Sequence, residues 1–255
     1  MSFTPDQWAQ LVFFANSSLI ALALTTYILY IFPSMRALTT YGKGNEIKDN
    51  INKFEISAVK FLVSLQVPKS WFLHFYIFAS ALSWIQLTFH RNIILLLLAI
   101  QCTRRLYDQL LAPPTNAKMN IIHYLIGYIF YIDENIGAGN AHVTTNMKII
   151  VPAVMLFATG WILQFQVHMH LFSLKKYTMP HMAIFSKCAC PHYLAESLMY
   201  LAILVLDVSN SVAWSTLLWI VLGLGVASQQ SKQFYATKFP GNPKLPKYGM
   251  IPYVW

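Results

Sequence analysis

Charged and polar side chains inside long apolar runs are costly in lipid, so where they occur they mark candidate sites. The third apolar run of this sequence carries Arg104, Arg105 and Asp108, and the fifth carries Gln164, His168 and His170. The sixth opens on His192 and Glu196, and the seventh closes on Lys232 and Tyr235. Guanidinium groups present a fixed fork of donors that suits phosphates and carboxylates. Carboxyl, imidazole and phenol groups can hold or move a proton. For any one of these residues the competing reading is a snorkelling side chain or a structural ion pair. Their gathering at one end of four separate runs points instead to a polar cavity open to one side of a membrane.

The elements that must position them follow from composition. Of 255 residues, 56% are hydrophobic and only 11% charged, with mean hydropathy +0.49. A soluble domain carries about 25% charged residues. Roughly 20 apolar residues cross a bilayer as a helix, and seven runs are long enough or nearly so. They are Gln10–Phe32, Trp71–Phe89, Ile93–Ala112, Met119–Gly137, Ile149–Phe172, His192–Leu206 and Val212–Gln233. The first is too long for a secretory h-region and lacks a basic flank, so it reads as a retained span. Phe54–Gln66 reads as an amphipathic helix at the interface. The sequence therefore predicts an all-α integral membrane protein, a seven-helix bundle forming a single domain over residues 1–255.

The net charge of +9 fits this layout better than it fits nucleic acid. With the N-terminus on the non-cytoplasmic side (the luminal side, in the membrane the resemblance below implies) and the C-terminus cytosolic, all but Arg91 and Lys148 of the 18 Lys and Arg residues fall on the cytosolic side. That is the positive-inside asymmetry. Cys188-Ala189-Cys190 lacks the spacing of a zinc site, so no metal is expected. Gly223-Leu224-Gly225 lies inside a span with no strand before it and reads as helix packing rather than a dinucleotide fingerprint.

Ordered motifs carry a resemblance. Pro191-His192-Tyr193-Leu194-Ala195-Glu196 resembles a motif of the polyprenol reductase branch of the steroid 5α-reductase family. Val67-Pro68-Lys69, His74-Phe75-Tyr76, Tyr41-Gly42-Lys43 and Arg104-Arg105-Leu106-Tyr107 match in the same order. Gln233-Phe234-Tyr235, Lys238-Phe239, Pro243-Lys244 and Ile251-Pro252-Tyr253 follow the family's C-terminal signature. The resemblance implies a multi-pass protein of the endoplasmic reticulum membrane with NADPH in a cytosol-facing pocket. Most of the cofactor motifs fall in residues 150–255. Arg105, Gln164, His168, Lys175, His192, Glu196 and Tyr235 match positions expected at the cofactor. Two residues that polarise the ketone in steroid-reducing members are replaced here by Cys102 and Gln66. The stretch Met182-Ala183-Ile184-Phe185-Ser186 departs from the family's acidic loop as well.

The implied reaction is reduction of the α-isoprene double bond of a polyisoprenoid lipid, on the way to dolichol for protein N-glycosylation. An isolated allylic alkene cannot delocalise the charge that hydride brings, whereas the conjugated aldehyde forms an enolate. Polyprenal is therefore the expected acceptor. A donor at the carbonyl oxygen is needed, and Gln101, Tyr107, His74 and Tyr76 are the candidates. For Tyr107 and Tyr76 the alternative is an interfacial anchor; for His74 and Gln101 it is an interhelical hydrogen bond. Alternative functions are reduction of another conjugated lipid, such as a 3-oxo-steroid or an enoyl lipid, and an inactive lipid-binding scaffold.

Overall fold

The structure, a computed structural model, describes residues 4–32, 61, 64–175 and 178–253. Seven long helices dominate it. In chain order they are α1 (Pro5–Ile31), α2 (Phe72–His90), α3 (Ile93–Leu111), α4 (Ile121–Gly139), α5 (Met147–Ser173), α6 (Pro191–Leu206) and α7 (Ser211–Lys238). Each predicted apolar run overlaps one of them over most of its length. Among the described residues four helical stretches are long and apolar enough to cross a membrane by length and composition: Pro5–Ile31, Lys69–His90, Met147–Ser173 and Ser211–Lys238. The other three have identifiable reasons for falling short. α3 carries Arg104, Arg105 and Asp108, α4 carries Asp133 and Glu134, and α6 has 16 residues.

The helix starts are written locally. Asn92, Asn120, Asn146 and Asn210 cap α3, α4, α5 and α7 by accepting from backbone amides of the first turn. Thr4 and Gln7 form a capping box on α1. Such caps satisfy amides that no helical carbonyl can reach. Pro191 opens α6, where its missing N–H costs nothing.

One feature was not expected. Gln66–Pro68 and Lys118–Asn120 form a two-stranded antiparallel ribbon, β1 and β2, with Val67 opposite Met119. Met119, predicted inside the fourth span, thus belongs to a strand, and α4 begins after its cap at Asn120. The interfacial helix expected over Phe54–Gln66 lies largely outside the described residues, and its last residue opens β1. The Tyr41-Gly42-Lys43 motif also lies outside them.

Helix pairing places the site. α5 lies against α6, α2 against α3, α1 against α7, and α4 fills the space between α1, α2 and α7. The core runs through their shared centre: Leu95 and Leu98 of α3, Phe130 and Tyr131 of α4, Phe157 of α5, and Met199 and Tyr200 of α6. α1 contributes a narrow stripe of small and branched residues, Ala15, Leu19 and Ala23, spaced by one turn. Its other faces expose Phe13, Phe14, Leu24 and Ile28, as a lipid-facing helix would. Gly223 is not a packing residue, because a Cβ there would meet nothing within 4 Å.

Candidate active site

α3 sets the site. Gln101, Arg104, Arg105 and Asp108 are spaced by three and four residues, so they share one face of the helix. That face is turned inward, while Leu96, Ile100, Tyr107 and Leu110 form the exposed stripe on the other side. Asp108, fully buried, is the hub. Its Oδ2 accepts from Arg104 Nη1 at 2.6 Å, from His168 Nδ1 at 2.7 Å and from Arg105 Nη1 at 3.2 Å. Taking one carboxylate and two guanidinium groups out of water is costly, and only a hydrogen-bonded arrangement of this kind repays it.

The network then crosses to the neighbouring helices. Arg104 donates from Nε and Nη2 to Gln101 Oε1, each at 3.2 Å, and from Nη2 to Gln164 Oε1. Gln101 Nε2 donates to the same Gln164 oxygen at 3.1 Å. Gln164 in turn donates from Nε2 to the His192 carbonyl and to Glu196 Oε2, both at 3.0 Å. Gln164 is thus the joint between α3, α5 and α6, and it is fully buried. On the other flank, Arg105 Nη2 donates to the Tyr76 hydroxyl of α2 at 2.7 Å, with the guanidinium 5.1 Å from the centre of the Tyr76 ring.

Close helix approach makes this reach possible. A Cβ on Gly160, one turn before Gln164, would sit 2.6 Å from the Ala195 carbonyl oxygen of α6. Only hydrogen fits there. Gly160→Val is expected to push α5 off α6, at a cost of about 1–3 kcal/mol or more for overpacking. It should also pull Gln164 away from Glu196. Thermal unfolding checks this, and an unchanged midpoint would show that the two helices can part freely.

The arrangement leaves polar capacity unspent. Arg105 Nε, Asp108 Oδ1 and the His192 Nδ1 are buried and have no hydrogen-bond partner. A carboxamide, with one carbonyl acceptor and two N–H donors, has groups complementary to them. Formal charges nearly cancel, since Arg104 and Arg105 face Asp108 and Glu196. The network therefore suits an uncharged polar group, and phosphates would need other cations. Lys175, just past the end of α5, and Lys187 and Lys244, on loops, are exposed.

The structure gathers Tyr76, Gln101, Arg105, Gln164, His168, His192 and Glu196 into or beside one network. It does not bring in four other candidates. Tyr107 is on the exposed stripe of α3. His74 faces outward on α2, bonded to the Tyr124 hydroxyl at 3.2 Å and flanked by Trp71. Lys175 is exposed. Tyr235 lies in a separate small core with Ala189 and Cys190, against Tyr193, Phe234 and Phe239.

That second core has a positioning role. The backbone amides of Ala189 and Cys190 donate to the carbonyls of Tyr248 and Gly249, both at 2.9 Å, and Tyr248 N donates to the Lys187 carbonyl at 3.0 Å. The segment after α7 thus clamps the loop that leads into His192 and Glu196. Cys102, Cys188 and Cys190 are free and buried, and burial raises the Cys188 thiol to about 11. Among the described residues no group of His, Cys, Asp and Glu is arranged to hold a metal.

Residues 112–255 match the family model described as 3-oxo-5-alpha-steroid 4-dehydrogenase. The chain is 31% identical to the polyprenal reductase of Saccharomyces cerevisiae over 223 residues, covering 84% of each chain. It is 23% identical to the polyprenal reductase of Drosophila melanogaster, covering 96% of this chain and 90% of the other. A 29% identity to the uncharacterized protein C7D4.09c of Schizosaccharomyces pombe covers 75% and 76%.

Proposed function

Because the chain belongs to the 3-oxo-5-alpha-steroid 4-dehydrogenase family, we propose that it is an NADPH-dependent polyprenal reductase, reducing the α-isoprene double bond on the route to dolichol. The observation that carries this reading is the buried network on α2, α3, α5 and α6, with three polar atoms left unbonded around it. The relatives' names supply the substrate class. In this reading all seven helices span the endoplasmic reticulum membrane, with the N-terminus luminal and the site facing the cytosol.

The nicotinamide supplies hydride when bound. The chain's residues do the rest. His192, Glu196 and Arg105, the last through Nε, would hold the ring and its amide, and Gln164 and His168, whose bonds are made within the network, would position them. Exposed lysines near the cytosolic helix ends take the phosphates. Of the four sequence candidates for the carbonyl donor, Tyr76 fits best. Its hydroxyl accepts from Arg105 Nη2 and keeps its own hydrogen for a substrate oxygen. A neighbouring guanidinium also stabilises negative charge developing on that oxygen. Gln101, its amide spent on Gln164, acts as a positioning residue. The polyprenyl tail leaves sideways between helices into lipid.

Purified protein in detergent, given NADPH with polyprenal or with polyprenol in parallel, tests the proposal. Polyprenal is expected to be reduced and polyprenol left untouched. Reduction of polyprenol without prior oxidation would overturn the conjugation argument. No turnover of either by folded protein would overturn the reductase reading.

A further inference from the structure

Reducing a conjugated double bond needs a proton at the α-carbon as well as hydride at the β-carbon, and the roles proposed for the network leave that proton without a source. A second buried acid lies one helical turn deeper. Glu134 of α4 is 7% exposed, and among the described residues no Lys, Arg or His bonds it. The Tyr200 hydroxyl donates to its Oε2 at 3.4 Å, while Oε1 is buried and unbonded. Glu134 and Tyr200 line a cavity of about 20 Å³ together with Ile94, Leu98, Ile203 and Thr216. That is room for one water-sized group.

Two helices independently place this cavity beside the network. On α6, His192, Glu196 and Tyr200 follow at intervals of four, so they form one stripe with about 6 Å of rise between neighbours. On α3, Ile94, Leu98 and Gln101 form the matching stripe. The helices run in opposite senses along it, and both lead from the network into the cavity. The cavity therefore lies about one helical turn from the network along both helices.

We propose that Glu134, held as a neutral carboxylic acid and oriented by Tyr200, delivers the α-carbon proton. This rests on the reductase reading. Hydride addition at the β-carbon breaks the C=C π bond and moves its electron pair through the α-carbon onto the carbonyl oxygen, where Tyr76 stabilises it. Collapse of that enolate forms the α-carbon–hydrogen bond with the Glu134 proton, regenerates the carbonyl, and leaves Glu134 as a carboxylate. Solvent returns its proton through the cavity. The neutral form follows from the setting: an ionised carboxylate in an apolar interior without a cation is far costlier than the acid. With Oε2 engaged by Tyr200, Oε1 is the oxygen left to carry the proton.

The test compares wild type, Glu134→Gln and Tyr200→Phe. Infrared difference spectra of the protein without ligands, wild type minus Glu134→Gln, should show the C=O stretch of a protonated carboxylic acid at neutral pH. A carboxylate band there would overturn the proposal. In single turnover with NADPH and polyprenal in D2O, wild type should place deuterium at the α-carbon in one stereochemical sense, read after trapping the aldehyde as the alcohol. Glu134→Gln should slow turnover by about 100-fold, as loss of a general acid does, and scramble that stereochemistry, with NADPH affinity unchanged. A Glu134→Gln rate and stereochemistry equal to wild type would overturn the proposal while leaving the reductase reading intact. A wild type without turnover overturns both. Should Glu134→Gln not fold, Tyr200→Phe, which removes one oxygen from the same pair, carries the test in its place.

Discussion

Replacing Asp108 with Asn is expected to cost about 3–5 kcal/mol, the penalty for breaking a buried ion pair by removing one partner. The size follows from what the substitution strands. Arg104, 4% exposed, and Arg105 both lose their counter-ion, and His168 loses its acceptor. The amide that replaces the carboxylate brings two N–H donors to a point already faced by three donors. A fall of the thermal midpoint on the order of 10 °C is expected in detergent, and reductase activity should disappear, since Arg104 also orients Gln101 and Gln164. A variant as stable as the wild type would show that the two arginines find water instead, and that the hub is wetter than its burial implies.

Arg105→Lys should act differently, on binding rather than on folding. Lysine keeps the charge and can still reach Asp108, so the fold should hold. It cannot reproduce the planar fork that touches Tyr76 with Nη2 and Asp108 with Nη1 while holding Nε unspent. Loss of one or more charge-assisted hydrogen bonds, each about 1.5–3 kcal/mol, translates to NADPH affinity weaker by roughly 10–100-fold. Titration of cofactor fluorescence measures it directly. Affinity within twofold of wild type would remove Arg105 from the cofactor site and leave it as a structural partner of Asp108.

Much of the fold could be read from apolar run length, because lipid allows little besides helices. The seven runs overlap the seven helices over most of their length, and the asparagine caps sharpen their starts. The site was partly legible for the same reason: Arg104, Arg105 and Asp108 stand out against Ile93–Ile100, and their spacing already puts them on one face. What sequence could not tell was which face points inward. Tyr107 is one residue from Asp108, yet it lies on the outer stripe, and His74 is two residues from Tyr76 with the same fate. Tyr235 matches a motif whose packing partners, Ala189 and Cys190, are distant in sequence. Asp133 and Glu134 did carry a signal, two acids within an apolar run, but no neighbouring basic residue drew attention to them. Gly160 gave none, since its role depends on a backbone carbonyl of another helix.

The Asp108 network also constrains how the protein is made. In the proposed seven-span arrangement α3, with two arginines and an aspartate, enters a bilayer unfavourably by itself, at roughly 2.5–3.5 kcal/mol for each such residue near the middle and less toward the end. The partner that completes the hub, His168, is synthesised 60 residues after Asp108. In that reading α3 must wait during biogenesis, paired with α2 and with its charged end near the headgroups, until α5 brings the hydrogen-bond partners His168 and Gln164 and α6 brings the second carboxylate, Glu196. Variants that weaken the network should for this reason be cleared by membrane quality control as half-inserted chains, and low abundance would precede any loss of specific activity.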